Sequence, residues 1–239
     1  MKLQDKVAII TGVSGDGQVG QAVAQTFARE GARLVLVARS AERLKARADE
    51  VAALGAEVLA VPGNLTREED VNNVVQQALD KFGRIDILVN LAGGLTRYKA
   101  AAEHTLEDWE TEISNNLLSA FLCSRAAFGL MKEQGGGKIV NFTRAGGPQP
   151  KMVAYNCAKA GVEALTHTFA LEGRKHNINV NAVAPGLLDT KSNVEMMKPK
   201  PEDLAKWPKR EEIAETVAFL ASDAASGITG QVIEVKGKL

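Results

Sequence analysis

The chain has 239 residues, 45% hydrophobic and 24% charged, enough apolar material for a sizeable core and too much for a disordered segment. Lys plus Arg and Asp plus Glu both number 29, a balance that gives no support to binding of nucleic acid or an anionic membrane. No apolar run approaches the ~18 residues of a membrane span, the start MKLQDKVAIITG is no secretory signal, and the two cysteines and three scattered histidines fit neither a disulfide framework nor a metal site. A cytoplasmic protein without metal is therefore expected.

Strands and helices alternate from end to end. KVAIIT (6–11) is a continuous apolar run, as in a strand buried on both faces. A helix follows over 19–30, with Gly31 just past its end. RLVLVA (33–38) is the second strand, and Ser40 caps a helix that stops at Gly55. EVLAV (57–61) is the third strand, and Thr66 with Glu69 spells a capping box for a helix ending at Gly83. IDILVN (85–90) is the fourth strand, and Thr105 caps one long helix to about residue 132. Three glycines (135–137) precede the fifth strand, KIVNF (138–142). A helix over 153–175, a sixth strand INVNAVA (178–184), a helix over 211–222 and a last strand QVIEV (231–235) complete the pattern. The stretch 185–209, rich in proline and lysine, reads as a mobile substrate flap. This alternation predicts one α/β domain over 1–239, a doubly wound parallel sheet of about seven strands with helices on both faces.

Such sheets bind ligands at the carboxyl ends of their strands. After strand one, TGVSGDGQVG opens a helix, the arrangement that cradles a pyrophosphate. After strand two, the acidic residue that would accept from an NAD ribose is absent and Arg39 follows. A guanidinium pairs bidentately with a 2′-phosphate, which favours NADP over NAD; a solvated surface arginine is the other reading. Small residues after strand four (Asn90-Leu91-Ala92-Gly93) and strand six (Pro185-Gly186) leave room for a flat ligand. Tyr155 and Lys159, spaced i, i+4, share one helical face, where the ammonium would lower the phenol pKa towards that of a neutral-pH acid or base.

The glycine turn, NLAG, Y-x-x-x-K, PG and the closing FLASDAASGITGQVIEVKG, in this order, resemble the short-chain dehydrogenase/reductase family over nearly the whole chain, in its 3-oxoacyl-carrier-protein-reductase-like branch. The resemblance implies a Rossmann-like fold and hydride exchange between NADPH and a carbonyl or alcohol substrate. Tyr155 would be the acid/base, Lys159 would hold the nicotinamide ribose, and Asn116 would support a water relay. Gly12, Ser14, Gln18, Val19, Gly20, Arg39, Asn64, Leu65, Asn90, Ala92, Gly93, Tyr155, Lys159, Pro185, Gly186 and Leu188 would contact the cofactor, with Asn64 standing where the family usually has an aspartate. A homotetramer or homodimer packed through the long helices is implied as well.

Two departures matter. The glycine turn carries two extra residues, which places Gln18 at the second glycine position and an acidic Asp16 beside the phosphates. The family's catalytic serine is missing: Arg144 takes its place, and Thr143 could serve only after a one-residue slip. Thr143 as substitute, Arg144 facing the site, and Arg144 facing away are three open alternatives. Arg97, Arg144, Lys151 and Lys191 make the substrate side basic, through either an anion-bearing substrate or solvated side chains. Without the serine hydroxyl, loss of one oxyanion donor predicts about 10²–10³-fold slower chemistry. The alternative function is a degenerate family member that senses nucleotide or assembles with a partner without catalysis.

Overall fold

The fold is described from a computed structural model that covers residues 1–238. Val7–Thr11 (β1) is fully buried and continues into Val19–Arg29 (α1), whose apolar stripe of Val19, Val23 and Phe27 packs on the sheet. Arg33–Ala38 (β2), Ala41–Ala52 (α2), Val58–Pro62 (β3), Glu68–Phe82 (α3) and Ile87–Asn90 (β4) complete the first half. Leu106–Ile113 (α4), Ser119–Gln134 (α5), Gly137–Phe142 (β5), Val153–Gly173 (α6) and Ile178–Pro185 (β6) follow. Lys191–Met197 (α7), Pro201–Leu204 (α8), Arg210–Ala221 (α9) and Val232–Val235 (β7) end the chain.

The seven strands are all parallel, in the order β3-β2-β1-β4-β5-β6-β7. The order reverses at β1, so the crevice between the ends of β1 and β4 is the topological switch point. Two apolar clusters lie on opposite faces of the sheet. One joins Ile10, Leu34 and Leu36 to Phe27 and to Ile213 and Val217 of α9; the other joins Ile9, Val35 and Ile139 to Val74, Phe128 and Met131.

Two local expectations are corrected. The Thr66–Glu69 capping box does not form: the Thr66 hydroxyl donates to Asn64 Oδ1 at 3.0 Å, and α3 begins after Arg67. Asn64 makes the tighter local turn and takes the hydroxyl first. The long helix expected from Thr105 is interrupted by a π-helical turn over Ser114–Leu118, which separates α4 from α5. The 185–209 stretch carries α7 and α8. Thr105 does cap α4, with Asp108 completing the box. Among the described residues no helix is long and apolar enough to cross a membrane.

Candidate active site

A cleft of about 490 Å³ opens at the switch point. It brings together Gly12, Ser14, Gln18, Val19, Gly20, Arg39, Asn64, Leu65, Ala92 and Gly93 of the residues expected from the sequence. Gly94, one of the small residues after strand four, lines it as well, and so do Leu95, Thr96, Asn115 and Ser119, which motif reading did not single out. Asn90 does not line the cleft. Its amide is buried and donates to Asn141 Oδ1 (2.8 Å) and Ser124 Oγ (2.9 Å), tying β4 to β5 and α5. Pro185, Gly186, Leu188, Tyr155 and Lys159 lie outside the cleft lining too: Pro185 and Gly186 continue the β6–β7 pairing, Leu188 is buried in the core, and Tyr155 and Lys159 stand on α6.

The glycine turn is built for close approach. Gly12 has φ +78°, and a Cβ there would stand 2.9 Å from the Ala92 amide nitrogen. A Cβ on Gly20 would stand 2.6 Å from the Gly12 carbonyl oxygen, so helix and strand touch backbone to backbone. Gly20→Ala is therefore expected to push α1 off β1, lower the melting temperature by several degrees and weaken nucleotide binding. A calorimetric scan with and without nucleotide checks this; an unchanged melting temperature would contradict the packing.

The insertion is absorbed without blocking the cradle. Asp16 turns outward, its side chain 61% exposed, between Lys191 Nζ (3.0 Å) and Arg47 Nη1 (3.4 Å). The hydrogen bond from Lys191 and its charge hold the Asp16 carboxyl below its ordinary pKa, so the acid is neutralised by cations rather than aimed at a ligand. Gln18 stands at the N-cap of α1 without capping it, and its side-chain carbonyl accepts from Ser192 Oγ of α7 at 3.1 Å. The first-turn amides of Val19 and Gly20 have no partner within the helix and remain open to an anion. These free amides, the glycine contacts and the cleft size fit a dinucleotide pyrophosphate. Arg39 is exposed at the cleft margin and forms no ion pair among the described residues.

Tyr155 and Lys159 rise from one face of α6. Lys159 Nζ lies 5.6 Å from the centre of the Tyr155 ring and donates to the Phe142 carbonyl at 3.0 Å. Burial lowers the Lys159 pKa to about 8, opposed by the charge of Glu112. Tyr155 departs from expectation: burial raises its pKa, the positive charge of Arg144 pulls it down, and Glu112 pushes it up. With its ammonium bound to a carbonyl, Lys159 is not the charge that acts on the phenol here.

Asn116 sits inside the π turn, 1% exposed. Its Oδ1 accepts from the Gly94 amide (2.9 Å), and its Nδ2 donates to the Gly94 and Glu112 carbonyls and to Glu112 Oε2 (3.0 Å). Glu112 itself is fully buried, and its Oε1 accepts from Thr96 N (2.6 Å), Thr96 Oγ1 (2.8 Å) and Arg97 N (2.7 Å). It thereby straps the loop after β4 to the Asn116 turn. Sequence reading passed over this residue; its i, i+4 spacing to Asn116 on a helix whose inner face also carries the buried Asp108 was the available signal.

Beyond Phe142 the β5–β6 register continues unslipped, with Thr143 N donating to Val183 O and Ala145 N to Pro185 O. Thr143 faces α6, its hydroxyl bonded to Glu163 Oε1 (2.9 Å) and Lys159 O (3.1 Å). The slip that would present Thr143 to a substrate does not occur. Arg144 is partly buried, and its guanidinium donates to the Gly147 carbonyl. Of the other cations, Arg97 and Lys99 are paired with Asp108 (2.8 and 2.6 Å) and Lys191 with Asp16.

The fold and the glycine-lined cleft at its switch point define a Rossmann-like α/β domain with a cleft of nucleotide size. The family model described as enoyl-(acyl carrier protein) reductase matches residues 12–237. The chain is 39% identical to a 3-oxoacyl-[acyl-carrier-protein] reductase of Synechocystis, over 98% of this chain and 97% of that one. It is 38% identical to (2S)-[(R)-hydroxy(phenyl)methyl]succinyl-CoA dehydrogenase subunit BbsD of Thauera aromatica, over 99% and 97%. A crystal structure of a short chain dehydrogenase from Mycobacterium smegmatis superposes with a TM-score of 0.88 at 31% identity, covering 100% of this chain and 94% of that one. The protein belongs to the short-chain dehydrogenase/reductase family.

Proposed function

We propose that this protein is an NADPH-dependent carbonyl reductase with Tyr155 as its acid. The observation that carries the reading is the shared α6 face of Tyr155 and Lys159, with Lys159 bonded to the Phe142 carbonyl at the end of β5; a glycine turn whose first helical amides have no partner within the helix supports it. A bound dihydronicotinamide supplies hydride to the carbonyl carbon. Tyr155 gives its phenolic proton to the carbonyl oxygen, and burial keeps that proton in place at neutral pH. Lys159, charged below about pH 8, holds the ribose side of the cofactor and stands ready to stabilise the phenolate left after transfer. Asn116 fixes the loop at Gly94 and the turn that carries a water relay to Lys159. The substrate is a ketone of the 3-oxoacyl thioester kind, a class suggested by the acyl-carrier and CoA compounds in the relatives' names. Exposed Leu106, Trp109, Phe121 and Leu171 on α4, α5 and α6 support a homodimer or homotetramer joined through those helices. The domain is a single unit with 185–209 as its substrate flap, and its place is the cytoplasm.

Nicotinamide fluorescence tests the reading. NADPH is expected to saturate the protein with higher affinity than NADH; saturation by neither would refute it. Arg39→Ala is expected to weaken NADPH roughly 10- to 100-fold, the worth of a charge-assisted hydrogen bond, and to leave NADH unchanged. Equal losses would mean that Arg39 does not read the 2′-phosphate.

A further inference from the structure

Arg144 stands where the family has an uncharged hydroxyl, and its surroundings leave that charge unspent. It follows the last buried residues of β5 with the strand's alternation intact: Thr143 points to Glu163 and the Lys159 carbonyl on α6, and Arg144 takes the other direction. Its hydrogen-bond partner is a neutral carbonyl, that of Gly147, and no carboxylate among the described residues pairs with it. The nearby acids are engaged elsewhere. Glu163 accepts from Thr143, Glu234 is paired with Lys236 and accepts from Gly146 N, and Glu112 is saturated by Thr96, Arg97 and Asn116. The other cations of this rim are engaged too: Arg97 and Lys99 hold Asp108, Lys191 holds Asp16, and Lys151 Nζ lies 5.7 Å from the centre of the exposed Tyr98 ring. A partly buried guanidinium has five N–H donors in a planar fork matched to a carboxylate, and one carbonyl uses only part of that capacity. Arg144 lies two residues beyond Phe142, whose carbonyl holds the Lys159 ammonium 5.6 Å from the centre of the Tyr155 ring, so it stands at the strand end next to the acid; its positive charge also pulls the Tyr155 pKa down.

We infer that Arg144 binds a carboxylate of the substrate next to the reacting carbonyl, so that the site selects 2-oxo and 3-oxo acids over neutral ketones. The inference rests on the reductase reading above and replaces the thioester of its substrate class with a free carboxylate. In the reaction the hydride reaches the keto carbon, Tyr155 protonates its oxygen, and the product is the corresponding hydroxy acid with NADP⁺. The carboxylate remains unchanged and serves as the handle that orients the carbonyl. The neutral serine hydroxyl of the family could donate one hydrogen bond to a carbonyl oxygen, but it could not hold an anion.

Steady-state NADPH oxidation with matched pairs tests this: pyruvate against methyl pyruvate, and acetoacetate against ethyl acetoacetate. The wild type is expected to prefer the free acids in kcat/KM. Arg144→Ala and Arg144→Ser should lose roughly 10- to 100-fold on the acids and change little on the esters, and Arg144→Lys should keep part of the preference. Titrating the acids into the protein–NADPH complex, read by nicotinamide fluorescence, should show the same loss of acid binding. The NADPH titration of each variant reports that its cofactor cleft is intact. Esters used as well as acids, or acid and ester rates falling together in the variants, would overturn the inference while the reductase reading stands. Saturation by neither nucleotide, or no reduction of any carbonyl, would overturn the reductase reading and the inference with it.

Discussion

Tyr155→Phe is expected to lower NADPH-dependent carbonyl reduction by about 10²–10⁴-fold and to leave NADPH binding nearly unchanged. The phenol is the proposed proton source, and phenylalanine keeps the ring beside Lys159 while removing only the hydroxyl. Burial raises the Tyr155 pKa above its ordinary value, so the acid form persists through neutral pH. Carbonyl reduction should therefore hold steady through neutral pH and fall only in the alkaline range. The reverse reaction, alcohol oxidation, needs the phenolate and should climb with pH over that range. Arg144 opposes the rise and Glu112 adds to it, so both charges enter the profile. Rates measured from pH 6 to 10 in both directions check this. A Tyr155→Phe protein that still reduces its substrate at the wild-type rate would remove Tyr155 from the chemistry.

Glu112→Gln should move the alkaline limb of reduction to lower pH by about one unit, beyond any uniform loss of rate. Glu112 is fully buried and its charge acts on both Lys159 and Tyr155. Its negative charge favours the Lys159 ammonium, whose pKa burial has brought down to about 8; without that charge the lysine goes neutral at a lower pH. The same charge disfavours the Tyr155 phenolate, so its loss also makes the phenol more acidic. The two effects have the same sign. The substituted amide would keep an acceptor for the Thr96 and Arg97 amides but would turn an NH₂ group toward Asn116 Nδ2, so a drop in kcat should accompany the shift. A merely structural role predicts the drop without the movement of the limb, and an unmoved limb would rule out the electrostatic role.

Much of the architecture was legible in one dimension. RLVLVA was bounded correctly at both ends because a strand buried on both faces is a continuous apolar run closed by polar residues. Ser40 and Thr105 were legible as caps because capping is satisfied within three residues. Thr66 failed for the same local reason: Asn64, two residues earlier, competed for its hydroxyl. The π turn at Ser114–Leu118 was missed because the apolar residues run on through it: one extra residue rotates the next turns by about 100°, no more than the width of an apolar helix stripe, so 105–132 reads as one helix.

The sequence by itself determined the parallel α/β fold, the glycine turn at the end of β1 and the shared helical face of Tyr155 and Lys159. Each depends on residue types at short, fixed spacings. The tertiary structure alone decided which way Thr143 and Arg144 point, since β5 takes its register from β6 and its facing from α6. It decided that Asp16 is paired and turned outward, because its counter-charges come from Arg47 on α2 and from Lys191, 175 residues further on. It also made Glu112 a buried strap rather than one more acid on a surface helix. Charge and direction at a site are set by neighbours that the fold brings from distant parts of the chain, and no local pattern records them.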